Sequence, residues 1–308
     1  PPNEVTYVVD RNINYTNVCY ARCRFCAFAR QEGDPEAYLL SREEVLEKVG
    51  EAVERGATQI LMQGGLNPKV GLGEVASLLR AVKSRFPRVQ VHSLSPPEIV
   101  HLARREKMSL AEVLNRLHEA GLDSLPGGGA EILVDRVRMQ LSSRKCSAEE
   151  WLEVMRTAHA LGLRTTATMM FGHVETVAER IRHLRRVRDL QDETGRFTAF
   201  IPWSYQSARA PLGGRSVGAY EYLRTLALAR LFLDNFVNFQ VSWLTQGLRI
   251  GQVALFYGAN DMGGTVMEEQ VVRAAAPLAS TTEQELRRLI AAAGFRPVKR
   301  TTAYEPLE

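Results

Sequence analysis

Residues 58–95, TQILMQGGLNPKVGLGEVASLLRAVKSRFPRVQVHSLS, contain one complete strand–helix–strand unit. The run TQILM is apolar and is followed closely by two glycines, EVASLLRAVKSRF has helical periodicity, and VQVHSLS is typical of the next strand. Strands that alternate with helices in this way are joined by crossover connections, which favour parallel pairing. The unit therefore predicts an α/β fold with a parallel sheet.

The same alternation extends over nearly the whole chain. Ser41 and Glu44 form a capping box ahead of the helix VLEKVGEAVERG, and later strands include RTTATMMFG, FTAFIPW and NFQVSW. About eight such units fit, which predicts a (β/α)8-type parallel barrel similar to a TIM barrel. Because no flexible linker interrupts the pattern, we predict one domain over residues 1–308, with residues 281–308 as a C-terminal helix and strand appendage packed outside the barrel.

Composition excludes several classes of protein. Of the 308 residues, 45% are hydrophobic and 24% are charged, which is typical of a globular chain and not of a disordered one. The net charge of +4 is spread without a polybasic run, so we expect no nucleic-acid partner. No apolar run approaches the ~18 residues that span a bilayer, so we expect no membrane partner. Four cysteines are too few for a disulfide framework, which favours the cytoplasm.

Three of the four cysteines lie close together. Cys19, Cys23 and Cys26 form a C-x3-C-x2-C pattern, whereas Cys146 stands alone before a helix cap at Ser147 and is interpreted as a structural thiol. Zinc sites usually pair C-x2-C units from two places, and a redox dithiol needs only two cysteines. Three neighbouring thiolates instead fit a [4Fe–4S] cluster with one iron open to a substrate or cofactor. The alternative is three buried cysteines that act as small hydrophobic residues.

This pattern, with the aromatic Phe25 directly before the last cysteine, resembles the signature of the radical S-adenosylmethionine (SAM) superfamily. The resemblance implies a radical SAM barrel in which Cys19, Cys23 and Cys26 hold the cluster and SAM chelates the fourth iron. Reduction of that cluster would cleave SAM and yield a 5′-deoxyadenosyl radical.

The resemblance also implies which residues contact SAM. They lie in the cysteine loop, at the glycines after the second strand, in the segment PGGGAEIL and on the strand TTATMM: Tyr20, Phe25, Gln63, Gly64, Gly65, Gly128, Gly129, Glu131, Thr168 and Met170. Glu131 would accept hydrogen bonds from the ribose hydroxyls, although a glutamate favoured by a helix N-terminus has the same sequence context. Thr168 and Met170 would support the adenine, although a polar layer inside a barrel shows the same alternation.

Longer strings extend the resemblance. VDRNINYTNVC, GLDSLPGGGAEILVDRVR, TTATMMFGHVET and GANDMGG resemble the cyclic dehypoxanthine futalosine synthase family of menaquinone biosynthesis. The related aminofutalosine synthases share the cysteine motif and the GGGAE string, but Tyr15, Trp203 and the AsnAspMet string favour the cyclase family. In the implied reaction, the C4′ hydrogen of the substrate ribose is removed and the sugar radical adds to the benzoate ring of the same molecule.

Polar and aromatic residues at strand ends are the candidates for substrate binding and catalysis. They are Tyr15, Ser93, His173, Trp203, Gln246, Asn260 and Asp261, with Tyr205 and Ser242 beside them. His173 is either a catalyst or a hydrogen-bonded structural residue. Trp203 either stacks on the benzoate ring or packs in the core. Asp261 either accepts a proton or caps a helix that begins near Met267.

Three functions therefore remain open. The first is the cyclase, with dehypoxanthine futalosine as its small-molecule substrate and a flavodoxin or ferredoxin as its electron donor. The second is aminofutalosine synthase or another radical SAM enzyme of the same branch. The third is a non-enzymatic iron–sulfur or zinc-binding protein.

Overall fold

The computed structural model describes residues 3–275 and 280–307. The chain begins with two short strands, β1 (Glu4–Val8) and β2 (Asp10–Asn14), which only Val9 separates. Six further strands continue the sheet that starts at β2, in chain order: β3 (Gln59–Gln63), β4 (Gln90–Ser93), β5 (Ser124–Leu125), β6 (Arg164–Phe171), β7 (Phe197–Ser204) and β8 (Asn238–Phe239). All of their pairings are parallel. These seven strands confirm the predicted parallel α/β architecture.

A second sheet completes the barrel. It contains β9 (Asp261–Gly264) and β10 (Arg296–Lys299), which pair in parallel with opposite edges of β1. Asp261 of β9 pairs with Thr6 of β1 and also forms a parallel bridge with Gln240, the residue after β8. Because β1 leads directly into β2, the pairing runs from β2 around to β8 and returns through β9. The eighth position of the predicted barrel is thus filled by β9.

Helices lie between the strands of the sheet. They are α1 (Arg42–Glu54), α2 (Leu72–Arg85), α3 (Pro96–Glu106), α4 (Leu110–Glu119), α5 (Asp135–Ser142), α6 (Ala148–Ala160), α7 (Val177–Thr194), α8 (Ala219–Phe232), α9 (Trp243–Gln246), α10 (Leu248–Ala254), α11 (Val271–Ala275) and α12 (Glu283–Ala292). Ser41 caps α1 as predicted, because its hydroxyl accepts from Glu44 N and the Glu44 carboxylate accepts from Ser41 N. Among the described helices, none is long and apolar enough to cross a membrane.

Alternation along each strand separates two environments. On β3, Ile60 and Met62 are buried in the apolar core, whereas Gln59, Leu61 and Gln63 line a cavity inside the barrel. Successive side chains of a strand point to opposite faces, so one face of the sheet packs against the helices and the other encloses the cavity. The barrel interior is therefore partly polar and open to a ligand.

The C-terminal segment forms the floor of this cavity. Arg300 and Thr302 line it, and Thr302 Oγ1 donates to Gln59 Oε1 at 2.7 Å. Arg300 also holds Asp261 with two hydrogen bonds, Nε to Oδ2 at 2.5 Å and Nη2 to Oδ1 at 3.0 Å. The expectation that the appendage packs only outside the barrel is therefore wrong, because strand β10 directs the residues that follow it into the barrel end.

Candidate active site

One cavity of about 390 Å³ joins the cysteine loop to the barrel interior. Cys19, Cys23 and Cys26 line it near the loop, and Asp10 and Arg300 line it near the floor. A cavity of this size, with an apolar wall and a few polar groups, is typical of a site for a small molecule. The motif cysteines therefore open into an enclosed site and not onto free surface.

Backbone hydrogen bonds from several segments hold the cysteine loop. Cys19 N donates to Arg30 O at 2.9 Å, and Tyr20 N donates to Leu66 O at 3.2 Å. Cys23 Sγ lies 3.2 Å from the Ser142 hydroxyl, at the end of α5. None of the three thiols forms a disulfide. The loop is thus fixed at its ends and at its centre, while its thiols remain available.

The donor set fits an iron–sulfur cluster. Burial raises the pKa of the Cys26 thiol to about 11 and also raises the pKa of the Cys23 thiol. Both thiols are therefore neutral near pH 7 when no metal is bound. Metal binding stabilises the thiolate form and offsets this effect of burial. Across residues 3–275 and 280–307, no three Cys, His, Asp or Glu side chains are gathered as closely as a metal ion requires. A [4Fe–4S] cluster binds each cysteine to a different iron, so its three thiols do not have to surround a single metal ion.

The glycines of the site have packing roles in addition to lining the cavity. A Cβ on Gly65 would lie 2.2 Å from Val18 O and 2.8 Å from Cys19 Cβ, so only glycine allows the cysteine loop to pack here. Gly129 has a φ of +78°, and a Cβ there would meet Pro97 at 2.4 Å. Close packing of the protein against itself therefore explains these glycines without a cofactor.

Replacement of Gly65 by alanine is expected to displace the cysteine loop. Because the new Cβ would meet backbone, we expect a loss of about 1–3 kcal/mol in the free energy of unfolding and a lower iron content after reconstitution. Gly73→Ala is the matched control, since nothing lies within 4 Å of its Cβ position on α2. That variant should be neutral or slightly stabilised. Equal behaviour of the two variants in urea unfolding and iron analysis would contradict this prediction.

Glu131 lies in the cavity wall between two cations. Its carboxylate accepts from Lys145 Nζ at 2.9 Å and lies 3.7 Å from Arg138 Nη1. Burial by itself would lower the pKa of Lys145, but the Glu131 carboxylate and Cys23 together outweigh burial and raise that pKa. Glu131 lies outside α5, which has Val134 as its N-cap, so the interpretation as a helix N-terminal residue is wrong. The carboxylate is oriented by these two cations and is adjacent to the cysteine loop.

The structure brings most of the predicted cluster and cofactor residues to this cavity, but few of the predicted substrate residues. Those that line it are Cys19, Cys23, Phe25, Cys26, Gln63, Gly64, Gly65, Gly128, Gly129, Glu131, Thr168, Trp203 and Ser242. Those absent from its lining are Tyr15, Tyr20, Ser93, Met170, His173, Tyr205, Gln246, Asn260 and Asp261.

The side chains outside the lining have structural partners. His173 is fully buried, with Nε2 3.0 Å from Met170 O and Nδ1 2.9 Å from Glu175 Oε2. Ser93 Oγ donates to Met62 O at 2.7 Å, and Gln246 Nε2 donates to Ser204 Oγ at 2.6 Å. These contacts favour the structural interpretation of His173 over the catalytic one.

Tyr15 and Met170 are also held away from the cavity. The Tyr15 hydroxyl donates to Glu98 Oε1 at 3.0 Å, and the same oxygen accepts from Gly64 N at 3.0 Å. Met170 is buried in the apolar core, and its backbone N–H donates to Glu131 O. Tyr20 packs its ring against His101 at a centroid distance of 5.3 Å. These residues support the walls of the site without facing it.

Asn260 and Asp261 are at the start of a strand, so the expectation that they lie at a strand end opposite the cluster is wrong. Asn260 Oδ1 accepts from Phe239 N at 2.8 Å, and Asp261 is paired with Arg300. The helix expected near Met267 begins instead at Val271, and Glu269 caps it by accepting from the first N–H groups. The glycines of DMGG obscured this strand, because glycine has low strand propensity.

Sequence reasoning missed the polar residues of the inner barrel face. Asp10, Asn12 and Asn14 occupy every second position of β2 and line the cavity. His92 and Gln240, from other parts of the barrel, also line it. The available signal was the repetition of polar residues at every second position, as in DRNIN and QILMQ. A two-residue period with polar residues at one face predicts a sheet with one wet side.

Burial sets the charge of two of these groups. It raises the pKa of Asp10 from 3.8 to about 6, and it lowers the pKa of His92 to about 3. His92 is therefore neutral near pH 7, with Nδ1 2.6 Å from Ser124 Oγ. Asp10 Oδ1 accepts from Val266 N at 2.8 Å, whereas Oδ2 has only a 3.4 Å contact with Gln59 Nε2.

Asp10 is expected to make the protein less stable as pH rises from roughly 4 to roughly 6. In this range the unfolded chain has released the proton, while the native state, in which burial raises the Asp10 pKa to about 6, retains it. The Asp10→Asn variant should lack this pH dependence. Relative to wild type, its free energy of unfolding should rise by up to about 3 kcal/mol between about pH 4.5 and about pH 7.5. Urea unfolding at the two pH values measures the difference. A constant difference between variant and wild type would contradict the prediction.

Comparison with protein families places this chain beside known enzymes. The Radical SAM superfamily model matches residues 13–187, and the CofH/MqnC C-terminal region matches residues 194–308. A cyclic dehypoxanthine futalosine synthase of Halalkalibacterium halodurans is 46% identical over 306 residues, which are 99% of this chain and 83% of the relative. A 5-amino-6-(D-ribitylamino)uracil–L-tyrosine 4-hydroxyphenyl transferase of Methanopyrus kandleri is 44% identical over 314 residues. This match covers 99% of this chain and 85% of the relative.

Solved structures agree with the fold. The FeFe-hydrogenase maturase HydG from Carboxydothermus hydrogenoformans superposes with a TM-score of 0.76 at 15% identity, covering 98% of this chain and 69% of HydG. Methylornithine synthase (PylB) superposes with a TM-score of 0.72 at 17% identity, covering 96% and 84%. At this identity the likeness concerns the fold alone.

Proposed function

Since this chain belongs to the radical SAM superfamily, as an enzyme that carries a CofH/MqnC C-terminal region, we propose that it converts dehypoxanthine futalosine to its cyclic form. The observation that carries the proposal is the 46% identity to a cyclic dehypoxanthine futalosine synthase, which extends over 99% of the chain. A second enzyme of that name, from Streptomyces coelicolor, is 46% identical over 98% of the chain.

We propose that Cys19, Cys23 and Cys26 hold a [4Fe–4S] cluster. Together with SAM, the reduced cluster would supply a 5′-deoxyadenosyl radical. All three cysteines line the cavity and are free thiols. A [4Fe–4S] cluster usually has four cysteine ligands, whereas three cysteines leave one iron open for the cofactor. Phe25, whose ring lies 5.2 Å from Lys145 Nζ, forms the wall between the loop and Glu131.

The adjoining wall is proposed to hold SAM. Glu131 is held in place by Lys145, so its carboxylate can accept hydrogen bonds from sugar hydroxyls. Thr168, on the facing strand, donates its hydroxyl to Gly127 O at 2.6 Å and thereby fixes the glycine segment. Gln63, Gly64, Gly65, Gly128 and Gly129 complete this wall.

The deeper part of the cavity is proposed to hold the substrate. Leu61, Ile201 and Trp203 give it an apolar surface on which an aromatic ring can pack and from which water is excluded. Asn14, Gln59 and His92 supply hydrogen-bonding groups for a sugar. Such a pocket can hold the ribose and the benzoate ring of one molecule in contact, which ring closure between them requires.

Hydroxyphenyl transfer is the second candidate reaction. The observation that favours it is the 44% identity to the Methanopyrus kandleri transferase over 99% of this chain. Aminofutalosine synthesis remains the alternative from the sequence motifs. The three reactions differ in their products, because the cyclase joins two parts of one substrate molecule and a transferase joins two molecules.

A single anaerobic assay distinguishes the cyclase reaction from the transferase reaction. The reconstituted protein is incubated with reductant, SAM and either dehypoxanthine futalosine or L-tyrosine with 5-amino-6-(D-ribitylamino)uracil, and the products are identified by mass. We expect free 5′-deoxyadenosine and a product that lacks the hydrogens removed from C4′ and the ring. If a product forms only with L-tyrosine and 5-amino-6-(D-ribitylamino)uracil, the transferase assignment replaces the cyclase assignment. Formation of no 5′-deoxyadenosine with any substrate would contradict the proposed radical chemistry.

A further inference from the structure

Three segments that contain no acidic residue meet at the cysteine loop. They are residues 11–31, 136–148 and 194–220. Arg24 N donates to Leu141 O at 2.8 Å, and Leu212 N donates to Arg24 O at 2.6 Å. The charged residues of these three segments are therefore all basic, although the molecule as a whole contains 35 acidic residues.

Five arginines on these segments form what we call the arginine surface: Arg22, Arg24, Arg144, Arg209 and Arg215. All five are exposed, and within the described part of the chain none makes an ion pair. Arg22 Nε donates to the neutral Gln31 side chain at 3.1 Å, and Arg24 Nη1 lies 3.4 Å from Gln140 O.

Several other arginines at the surface are neutralised by neighbouring carboxylates. Arg156 pairs with both Glu153 and Glu193, for example. Two of the three acidic residues that follow the cysteine loop are also already engaged, because Glu32 pairs with Lys69 and Glu36 pairs with Arg30. The arginine surface therefore keeps its charge available for a partner.

The geometry of the surface relates it to the cysteines. Arg22 and Arg24 lie between the three cysteines in sequence, and Arg144 follows Ser142, whose hydroxyl is 3.2 Å from Cys23 Sγ. Arg209 and Arg215 lie on either side of Leu212, in a loop that Ser207 and Ser216 join by side-chain contact at 3.1 Å. A protein bound here would cover the outside of the cysteine loop.

We propose that the arginine surface is the docking site for a small acidic electron-transfer protein that reduces the cluster. The inference rests on the proposed function, because it requires a cluster at the three cysteines. One electron leaves the redox centre of the partner and enters the cluster, and no bond forms or breaks between the two proteins. Complementary charge at such a surface accelerates the encounter of the partners and orients them.

Charge reversal tests the surface without altering the loop between the cysteines. The test variant combines Arg144→Glu, Arg209→Glu and Arg215→Glu. The control combines Arg80→Glu, Arg88→Glu and Arg116→Glu, which are exposed arginines without ion pairs on or beside the outer helices α2 and α4. Both variants change the net charge equally. An acidic flavodoxin serves as the partner, and dithionite serves as a reductant that requires no docking.

Stopped-flow reduction of the reconstituted cluster by the reduced flavodoxin gives the rate. At low ionic strength we expect the test variant to react at least about tenfold more slowly than the control, with the difference shrinking at high salt because exposed charges are screened. Dithionite should reduce both variants at the same rate. Equal flavodoxin rates in the two variants would overturn the proposal.

Binding of oxidised flavodoxin to the protein without cluster provides a second readout. Titration calorimetry should show weaker binding for the test variant than for the control, whether or not the enzyme turns over. Failure of the wild type to produce 5′-deoxyadenosine would therefore contradict the proposed function, but the binding difference would still support the docking surface. Equal flavodoxin affinities, or binding of phosphatidylserine vesicles in place of flavodoxin, would overturn it.

Discussion

Replacement of Cys23 by alanine is expected to abolish the visible absorbance of the reconstituted iron–sulfur cluster and the formation of 5′-deoxyadenosine. The reason is that Cys23 is the central member of three thiols that line one cavity, and the fourth cysteine, Cys146, does not line it. With two thiolates the cluster would lack half of its usual ligands. Iron and sulfide analysis, together with the absorbance spectrum, measures the effect.

Cys146→Ala provides the control for this prediction. Cys146 is buried, and Arg138 donates two hydrogen bonds to its carbonyl oxygen. An alanine at this position keeps that carbonyl oxygen and therefore both hydrogen bonds. The variant should retain its iron and its absorbance. A full cluster signal in Cys23→Ala would remove Cys23 from the proposed ligands, and loss of the signal in Cys146→Ala would add a fourth cysteine to them.

Replacement of Arg300 by alanine is expected to lower the free energy of unfolding by about 3–5 kcal/mol. The guanidinium holds both oxygens of Asp261, a carboxylate that is 0% exposed. Removal of the cation leaves a buried charge without its main partner, and the remaining donors, Thr6 Oγ1 and Gly263 N, carry no charge. Urea unfolding of the protein without cluster measures the loss.

Arg296→Ala, at the start of strand β10 that precedes Arg300, is the matched control. The Arg296 side chain is 69% exposed and pairs with Glu4 at the surface, so its removal should cost no more than about 1 kcal/mol. Combining Arg300→Met with Asp261→Asn removes both buried charges and keeps most of the volume. This double variant should recover much of the loss. Equal destabilisation by Arg296→Ala and Arg300→Ala would show that the buried pair has no special role.

The sequence predicted the features that depend on local patterns. The capping box at Ser41 and the strand–helix alternation involve residues only a few positions apart, and the structure confirms both. The three cysteines and the glycine segment were likewise expected in one site because each follows a strand of a parallel barrel, and all line one cavity.

Features that depend on distant partners were not predictable. Asp261 has the same local sequence whether it faces a ligand or an arginine that follows it by 39 positions. The preference of Tyr15 for Glu98 likewise depends on how β2 and α3 pack. The polar residues inside the barrel were not predicted, because the type of a polar residue does not show whether its side chain is buried or exposed.

The position of β1 has a consequence for synthesis. Thr6 in β1 is hydrogen-bonded to Asp261, 255 positions later, and Tyr7 contacts Glu283, 276 positions later. On a ribosome, β1 therefore waits for its partner at Asp261 until 255 further residues have been added to the chain. Contacts of such long sequence separation form slowly and leave strand edges open in the meantime. The nascent chain thus completes its sheet from β2 onward first, and the bottom of the barrel closes only after β9 and β10 have been synthesised.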